Sequence, residues 1–472
     1  MRMVRISRSL VTLLALQIAP HPGAQEALPV VEIRGEDFFI DGRPTYEGVS
    51  WRGHRVEGLL LNSRMVQGTF DDENPDTRAL WAYPDTGEWD PERNADEFVA
   101  AMPSWREHGL LAFTLNLQGG GHIYAQPFPY DQYINSACDP QGQLKPAYMA
   151  RLGRILDRAA QLRMAVILGL AYFGMDYRYF EGPDAVRRMA DEVVDWLAAR
   201  GNRHVLIEIA NEATRIRSRT DEVSALELME RIRARSREAY GDGFTLLCAT
   251  SLGGGGMHSD EYLQAMDFVL VHGNGRGPEQ HVQMIEAIRA NPVFAQAPKP
   301  IVFNEAHTDL SCLRACLEHH ASWGYFDQGT NNYRDGFQTP PVQWAISTQS
   351  KRRFFEFLRG VTRSEDPQCP DSPVHIRGFE GLPEGPVSGR VVVSAAIDDR
   401  WGVREVEFLV DGERINIERR YPYYLGGDTD GRPAGFDTSR LTPGEHTLRT
   451  VVRSVSGATS EIEQTFVVAG AQ

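Results

Sequence analysis

HVLIEIANEA, residues 204–213, is a near-continuous apolar run that ends on Asn211-Glu212. Runs of this kind are strands buried on both faces, as in parallel sheets. A second stretch, PIVFNEAH (300–307), repeats the design and ends on Asn304-Glu305. Each places a carboxylate just past a buried strand, and paired carboxylates from separate strand ends point to acid/base or glycosidic chemistry. Their separation is about three strand-helix units of roughly 31 residues, the unit length of an eight-unit barrel of about 250 residues. In such a barrel both would open at the same face.

Outward from these two, six more runs rich in Val, Ile, Leu and aromatics complete a set of eight: PTYEGVSW (44–51), LLAFTLN (110–116), MAVILGL (164–170), FTLLCAT (244–250), MDFVLVH (266–272) and SWGYFDQ (322–328). Stretches at helical spacing lie between most of them, such as YMARLGRILDRAAQL (148–162), DAVRRMADEVVDWLAA (184–199) and ALELMERIRARSREAY (225–240), and WAISTQSKRRFFEFLRG (344–360) follows the last. Eight alternations predict a (β/α)8 TIM barrel in the α/β class. A doubly wound sheet is the runner-up, weakened because no glycine-rich phosphate turn follows the first strand. The long segments 52–94 and 117–144 hold Phe70, Trp81, Tyr83, Trp89, Tyr124, Phe128, Tyr130 and Tyr133, and should wall the site as a pocket.

At 472 residues the chain exceeds what one core usually supports. SEDPQCPDS (364–372) reads as a linker between a barrel over 25–363 and a small all-β immunoglobulin-like sandwich over 373–472. The sandwich is expected from the alternating runs RVVVSAAI (390–397), VREVEFLVDGERI (403–415) and HTLRTVVRSV (446–455), with turns at Asp411-Gly412 and Pro443-Gly444. Arg2, Arg5 and Arg8, an apolar run from Leu10 to Ala19 and the small-residue stretch Pro22-Gly23-Ala24 predict a secretory signal over 1–24, hence a secreted or periplasmic protein with no membrane insertion after cleavage.

The net charge of −15 argues against nucleic acid and anionic membranes as partners and favours a neutral or small substrate. Oligomeric state is not legible. Five cysteines, Cys138, Cys248, Cys312, Cys316 and Cys369, are too few and scattered for a disulfide scaffold. Cys312 and Cys316 with His319 and His320 lack a second ligand pair at zinc spacing, so helix surface is the favoured reading and no metal or cofactor is expected. HExxH, Walker, GxSxG and paired CxxC motifs are absent from the sequence, and the GGGG at 253–256 is a loop without the lysine of a phosphate cradle.

With Asn211-Glu212 ending strand four and Asn304-Glu305 on strand seven, residues 38–360 resemble the clan A glycoside hydrolases. That resemblance implies a carbohydrate substrate and a retaining mechanism, with Glu212 as acid/base, Glu305 as nucleophile and Asn211 bonded to the sugar 2-hydroxyl. A negative Glu305 would raise the proton affinity of Glu212. His272 resembles the clan's histidine at the end of strand six, and Asn274 stands where many members have tyrosine. Trp323 and Tyr325 fall where the clan offers an aromatic sugar platform. Ala213 replaces the frequent proline after Asn-Glu, and AHTD follows in place of a glycine-rich turn after strand seven.

From their places at strand ends, Trp51, Arg52, Asn116, Gln118 and Tyr172 should line the mouth. Glu208, on the face of Glu212 but deeper, should be structural and need an arginine or histidine partner. Arg215 and Arg217 offer Glu212 a plain ion pair instead. The C-terminal part resembles bacterial immunoglobulin-like modules of secreted hydrolases through AIDDRWGVREVEFLVDG (396–412), with Tyr421, Tyr423 and Tyr424 read as a strand edge or interdomain contact ahead of a glycan patch. Two other classes fit the same residues: a non-catalytic carbohydrate-binding barrel and a transglycosylase. A separation of the Glu212 and Glu305 carboxyls of about 5–5.5 Å would favour retention, and roughly 6.5–9.5 Å inversion.

Overall fold

A computed structural model describes residues 28–119, 132–172, 175–213, 222–329, 333–363, 374, 376–397, 403–419, 422–429, 432–454 and 458–470. The expected signal, the linker, Tyr124, Phe128, Tyr130, Arg215, Arg217 and Tyr421 lie outside them. The chain is a mixed α/β protein with one large parallel sheet and several antiparallel ones.

Eight short strands carry the parallel pairing: β1 (Asn62–Arg64), β2 (Ala112–Asn116), β3 (Ala165–Tyr172), β4 (Val205–Asn211), β5 (Cys248–Ala249), β6 (Val269–His272), β7 (Ile301–Glu305) and β8 (Gly324–Tyr325). Six of them form one sheet in the order β5-β4-β3-β2-β1-β8, while β6 and β7 pair separately. Backbone bonds from Phe303 N to Ser322 O and from Ser322 N to Ile301 O, both 2.9 Å, tie β7 to the start of β8. Asp267 N bonds Cys248 O at 2.9 Å and so ties β5 to the start of β6.

Between successive strands run α1 (Pro91–Glu107), α2 (Pro146–Gln161), α3 (Pro183–Ala199), α4 (Ala225–Tyr240), α5 (Pro278–Ala290) and α6 (Leu310–Glu318), and α7 (Gln349–Thr362) follows β8. Their ends are written locally. Asp90 caps α1 by accepting from Glu92 N and Arg93 N, and Pro91 sits in the first turn, where its missing N–H costs nothing. Ser224 caps α4, which stops at Gly241 in the left-handed conformation. One hydrophobic cluster, from Val31 to Val361, fills the space between strands and helices.

Seven of the eight expected strands stand where the apolar runs put them. The first does not. Residues 44–51 contribute only to two small antiparallel pairings, Arg43–Pro44 against Asp37–Ile40 and Ser50–Trp51 against His54–Arg55. The first parallel strand is instead Asn62–Arg64, with all three polar residues buried. A hydropathy reading passes over such a strand, because its side chains are solvated by partners inside the protein rather than by water.

Beyond residue 373 a separate hydrophobic cluster gathers Val406, Phe408, Leu448, Val452, Phe466 and others. Around it Val403–Val410, Glu413–Glu418, Gly444–Ser454 and Thr459–Val468 form a four-stranded antiparallel sheet. Asp411 (φ 51°) and Gly412 (φ 83°) make the tight two-residue turn that was expected, matched to the twist of its strands. Tyr423 is no part of a glycan patch: only 2% exposed, it packs in this second core.

Candidate active site

Glu212 follows the last residue of β4 and takes a left-handed backbone, φ 48°, which costs a non-glycine residue roughly 1–2 kcal/mol. The turn is pinned because Glu212 N donates to Ser251 Oγ (3.1 Å) and Ala213 N to Ser251 O (3.1 Å). Its carboxylate is thereby aimed across to His272, whose Nδ1 lies 3.3 Å from Glu212 Oε1 and 3.5 Å from Glu305 Oε2. Glu305, Glu212 and His272 are all nearly buried, and one ligand atom from each lies within 4.8 Å of the others.

Arg64, the residue the hydropathy reading missed, is the hub of this cluster. Its Nε is 2.9 Å from Glu305 Oε2, its Nη2 donates to Asn211 Oδ1 at 2.5 Å, and its Nη1 lies 4.0 Å from Glu208 Oε2. Asn274 Nδ2 donates to the other oxygen of Glu305 at 2.8 Å. Glu208 has the interior partners expected of it. Ser251 Oγ donates to its Oε1, Asn304 Nδ2 to its Oε2 (3.2 Å), and His272 Nε2 is 3.9 Å away.

Burial disfavours a charge on His272, but the negative Glu305 and the bond to Glu212 outweigh it and hold its pKa above the ordinary 6.5. For Arg64 burial again opposes the charge, and Glu305 and Glu208 overcome it. Three carboxyl groups therefore face a guanidinium and an imidazole in a recess almost closed to water, where each charge interaction is stronger than at the surface. Glu212, His272 and Glu305 could in principle ligate a metal, yet the Arg64 guanidinium already occupies the Oε2 side of Glu305 and repels a cation there.

The other expected residues divide. Asn211, His272 and Asn274 join the carboxylates. Tyr172 ends β3 in register with Asn211 and belongs to a buried aromatic cluster with Phe70, Trp81, Tyr83, Trp89, Tyr133 and Met175. Both long segments thus contribute to one wall, and Asp72 holds them together by accepting from Trp81 Nε1 (2.7 Å), Thr77 Oγ1 (2.5 Å), Asn74 N (2.9 Å) and Ile134 N (2.8 Å). Asn116 fills the space over Gly169, where a Cβ would fall 2.3 Å from its Oδ1, and Gln118 Nε2 donates to Ser136 Oγ at 3.1 Å.

Trp51, Arg52, Trp323 and Tyr325 are not among the gathered residues. Trp51 packs edge-on against Phe357 of α7, ring centroids 5.8 Å apart, with Arg52 over its ring. Trp323 and Tyr325 are fully buried against Phe354 of α7, Tyr325 stacked on it at 4.4 Å. The intervening Gly324 occupies the opposite face of β8, so the aromatics take the helix side. Arg64 had one signal in the sequence, a charged residue in the otherwise apolar LLLNSRMV (59–66).

No protein-family model matches this sequence, and neither does any curated protein sequence. Among the solved structures it matches are glycoside hydrolases. An endo-β-1,4-mannanase from Thermotoga petrophila is 13% identical, with 90% of this chain and 100% of that one covered, at a TM-score of 0.41. A β-glucuronidase from Parabacteroides merdae is 12% identical over 94% of this chain and 51% of its own, at 0.38. A glycosyl hydrolase family 2 member from Bacteroides cellulosilyticus is 11% identical over 94% and 49%, at 0.37. The chain spans about half the length of these last two. At such scores the likeness carries no argument about its chemistry.

Proposed function

We propose that the chain is a retaining glycoside hydrolase on an eight-stranded barrel, with Glu305 as nucleophile and Glu212 as acid/base. The observation that carries this reading is the convergence of the two carboxylates on His272 within 4.8 Å. One oxygen of each carboxylate lies within 4.8 Å of the other, a closeness that favours a retaining pair, with carboxyls roughly 5–5.5 Å apart, over an inverting one at roughly 6.5–9.5 Å. Barrel closure is supported by the bonds that join β7 to β8 and β5 to β6.

In the first step a Glu305 oxygen bonds the anomeric carbon as the glycosidic C–O bond breaks, and Glu212 gives its proton to the leaving oxygen. Next Glu212 takes a proton from water, whose oxygen displaces Glu305 and frees it as carboxylate. Asn274 donates to Glu305 and the Arg64 guanidinium pairs with it as a charge, which stabilises a nucleophile that must leave again. His272 reaches both carboxyl groups and holds them in orientation. Asn211, fixed by Arg64, is placed for the sugar 2-hydroxyl. Export through the 1–24 leader and an immunoglobulin-like module after residue 373 belong to the same reading.

The test is turnover of a panel of β-linked aryl glycosides and natural oligosaccharides by wild type, Glu305→Gln and Glu212→Gln, with the anomeric configuration of the first product followed by NMR. Hydrolysis with retention, reduced at least about 10³-fold in Glu305→Gln, is expected. Inverted product, or undiminished activity in Glu305→Gln, would refute the assignment.

A further inference from the structure

Outside the carboxylate cluster, His281, His307 and Cys312 are brought together in the core, all fully buried. A potential ligand atom from each lies within 4.8 Å of the other two. They come from three places: the first turn of α5, the segment just after β7, and the first turn of α6. Sequence spacing could not show this, because the histidine partners of Cys312 are not the neighbouring His319 and His320.

The hydrogen bonding of the two rings is what points to an ion. His281 Nδ1 lies 2.9 Å from Gly277 O, so its N–H donates there and leaves the Nε2 lone pair bare. That Nε2 is buried without a hydrogen-bond partner, as is Nδ1 of His307. An orphaned buried acceptor costs about 1–3 kcal/mol, and His281 Nε2 is one, in a ring whose centroid lies 5.7 Å from that of His307. A ring nitrogen bonded to a backbone carbonyl with its opposite nitrogen bare is the orientation that metal-ligating histidines adopt. His307 Nε2 contacts the Arg276 carbonyl and lies 3.5 Å from Cys312 Sγ, and Sγ lies 3.7 Å from the same carbonyl oxygen.

We infer that His281, His307 and Cys312 bind one zinc-class transition-metal ion that clasps α5 and α6 to the end of β7. Tetrahedral zinc, with bonds of about 2.0–2.1 Å to nitrogen and 2.3 Å to sulfur, needs ligand atoms roughly 3.3–3.8 Å apart. The 3.5 Å from Cys312 Sγ to His307 Nε2 lies in that range, so His307 ligates through Nε2 with its ring proton on Nδ1, and the other spacings, within 4.8 Å, close by about 1 Å of side-chain movement. The Arg276 carbonyl is placed to complete the set. Two imidazoles and one thiol are a borderline-soft donor set, which selects zinc or copper over magnesium or calcium. On binding, Cys312 loses its proton to solvent and the thiolate sulfur bonds the metal.

The ion would brace the nucleophile without touching it. His307 is two residues beyond Glu305, and the loop between Gly273 and Gly277 that it clamps also carries Asn274, whose Nδ2 bonds Glu305. Gly273 N and Asn274 N both donate to Glu305 O, at 2.7 and 3.0 Å. The inference is independent of the glycosidase reading.

Untagged protein from metal-replete medium should contain about one equivalent of zinc or copper after exhaustive dialysis. Glu305→Gln and Cys316→Ser should keep it, and Cys312→Ser and His281→Gln should lose at least tenfold. Since the ligands are buried, wild type unfolded with chelator should refold to its original melting temperature only when zinc chloride is supplied, while refolded Cys312→Ser should not respond to zinc. Wild type with only trace metal and zinc-independent refolding would overturn the site. So would equal metal in Cys312→Ser, or loss of the metal in Glu305→Gln, which would move it to the carboxylates.

Discussion

Arg64 concentrates more of the site on one side chain than any other residue described. It bridges Glu305 and Asn211 and faces Glu208, so its fork geometry matters as much as its charge. Arg64→Met should leave buried carboxylates uncompensated and cost about 3–5 kcal/mol by thermal or urea unfolding. Arg64→Lys keeps the charge and should lose less stability, yet reduce kcat/KM by about 10² because one ammonium cannot hold both partners. His272 provides a pH test. Its folded pKa is raised above the unfolded 6.5, so the stability it contributes is fully present below 6.5 and is lost as pH rises through the folded value. The stability gap between wild type and His272→Gln should therefore narrow on raising the pH from 6, and a gap that widened would contradict the carboxylate pairing. Glu212, Glu305 and His272 could be picked out in the sequence because each stands at the end of an apolar strand, and Asn274 because it follows two residues after one. Arg64 could not, since its partners are distant in the chain and only folding brings them within reach.

Among the elements, the segment between β1 and α1 depends on Asp72. A buried carboxylate that accepts from Trp81, Thr77 and two backbone amides joins residues 70–81 to Ile134 across the chain. Asp72→Ala should orphan those donors and cost about 2–4 kcal/mol. Hydrogen exchange should quicken first over 70–83 and 132–136, with β3 and β4 still protected; uniform loosening would mean that Asp72 is not a local tie. The strands that could be read from the sequence, β2 to β8, are apolar and stand between amphipathic helices. β1 escaped because Asn62, Ser63 and Arg64 satisfy one another's neighbours inside the protein. The aromatics of β8 were legible as a strand but not in direction. Only the packing of Phe354 on α7 shows that Trp323 and Tyr325 face the helices.

For the whole molecule, acid should be a sharper stress than alkali near neutrality. Burial lowers His204 and His258 to about 4, so both are neutral when folded and charge first in the unfolded chain. Their stabilising share is lost as pH falls from 6.5 to about 4, on the order of 3 kcal/mol each. His204→Gln should flatten the fall in stability over that window, as read by urea midpoints at each pH. The two hydrophobic clusters share no member, so a chain ending at Arg363 should keep its cooperative unfolding and its activity. The sequence by itself determined the alternation of strand and helix, the two carboxylates at strand ends and the sheet-forming C-terminal part, because periodicity and turn chemistry are local. The tertiary structure alone decided that Arg64 neutralises the site, that the β8 aromatics turn away from it, and that His281, His307 and Cys312 meet, because each depends on contacts between residues far apart in the chain.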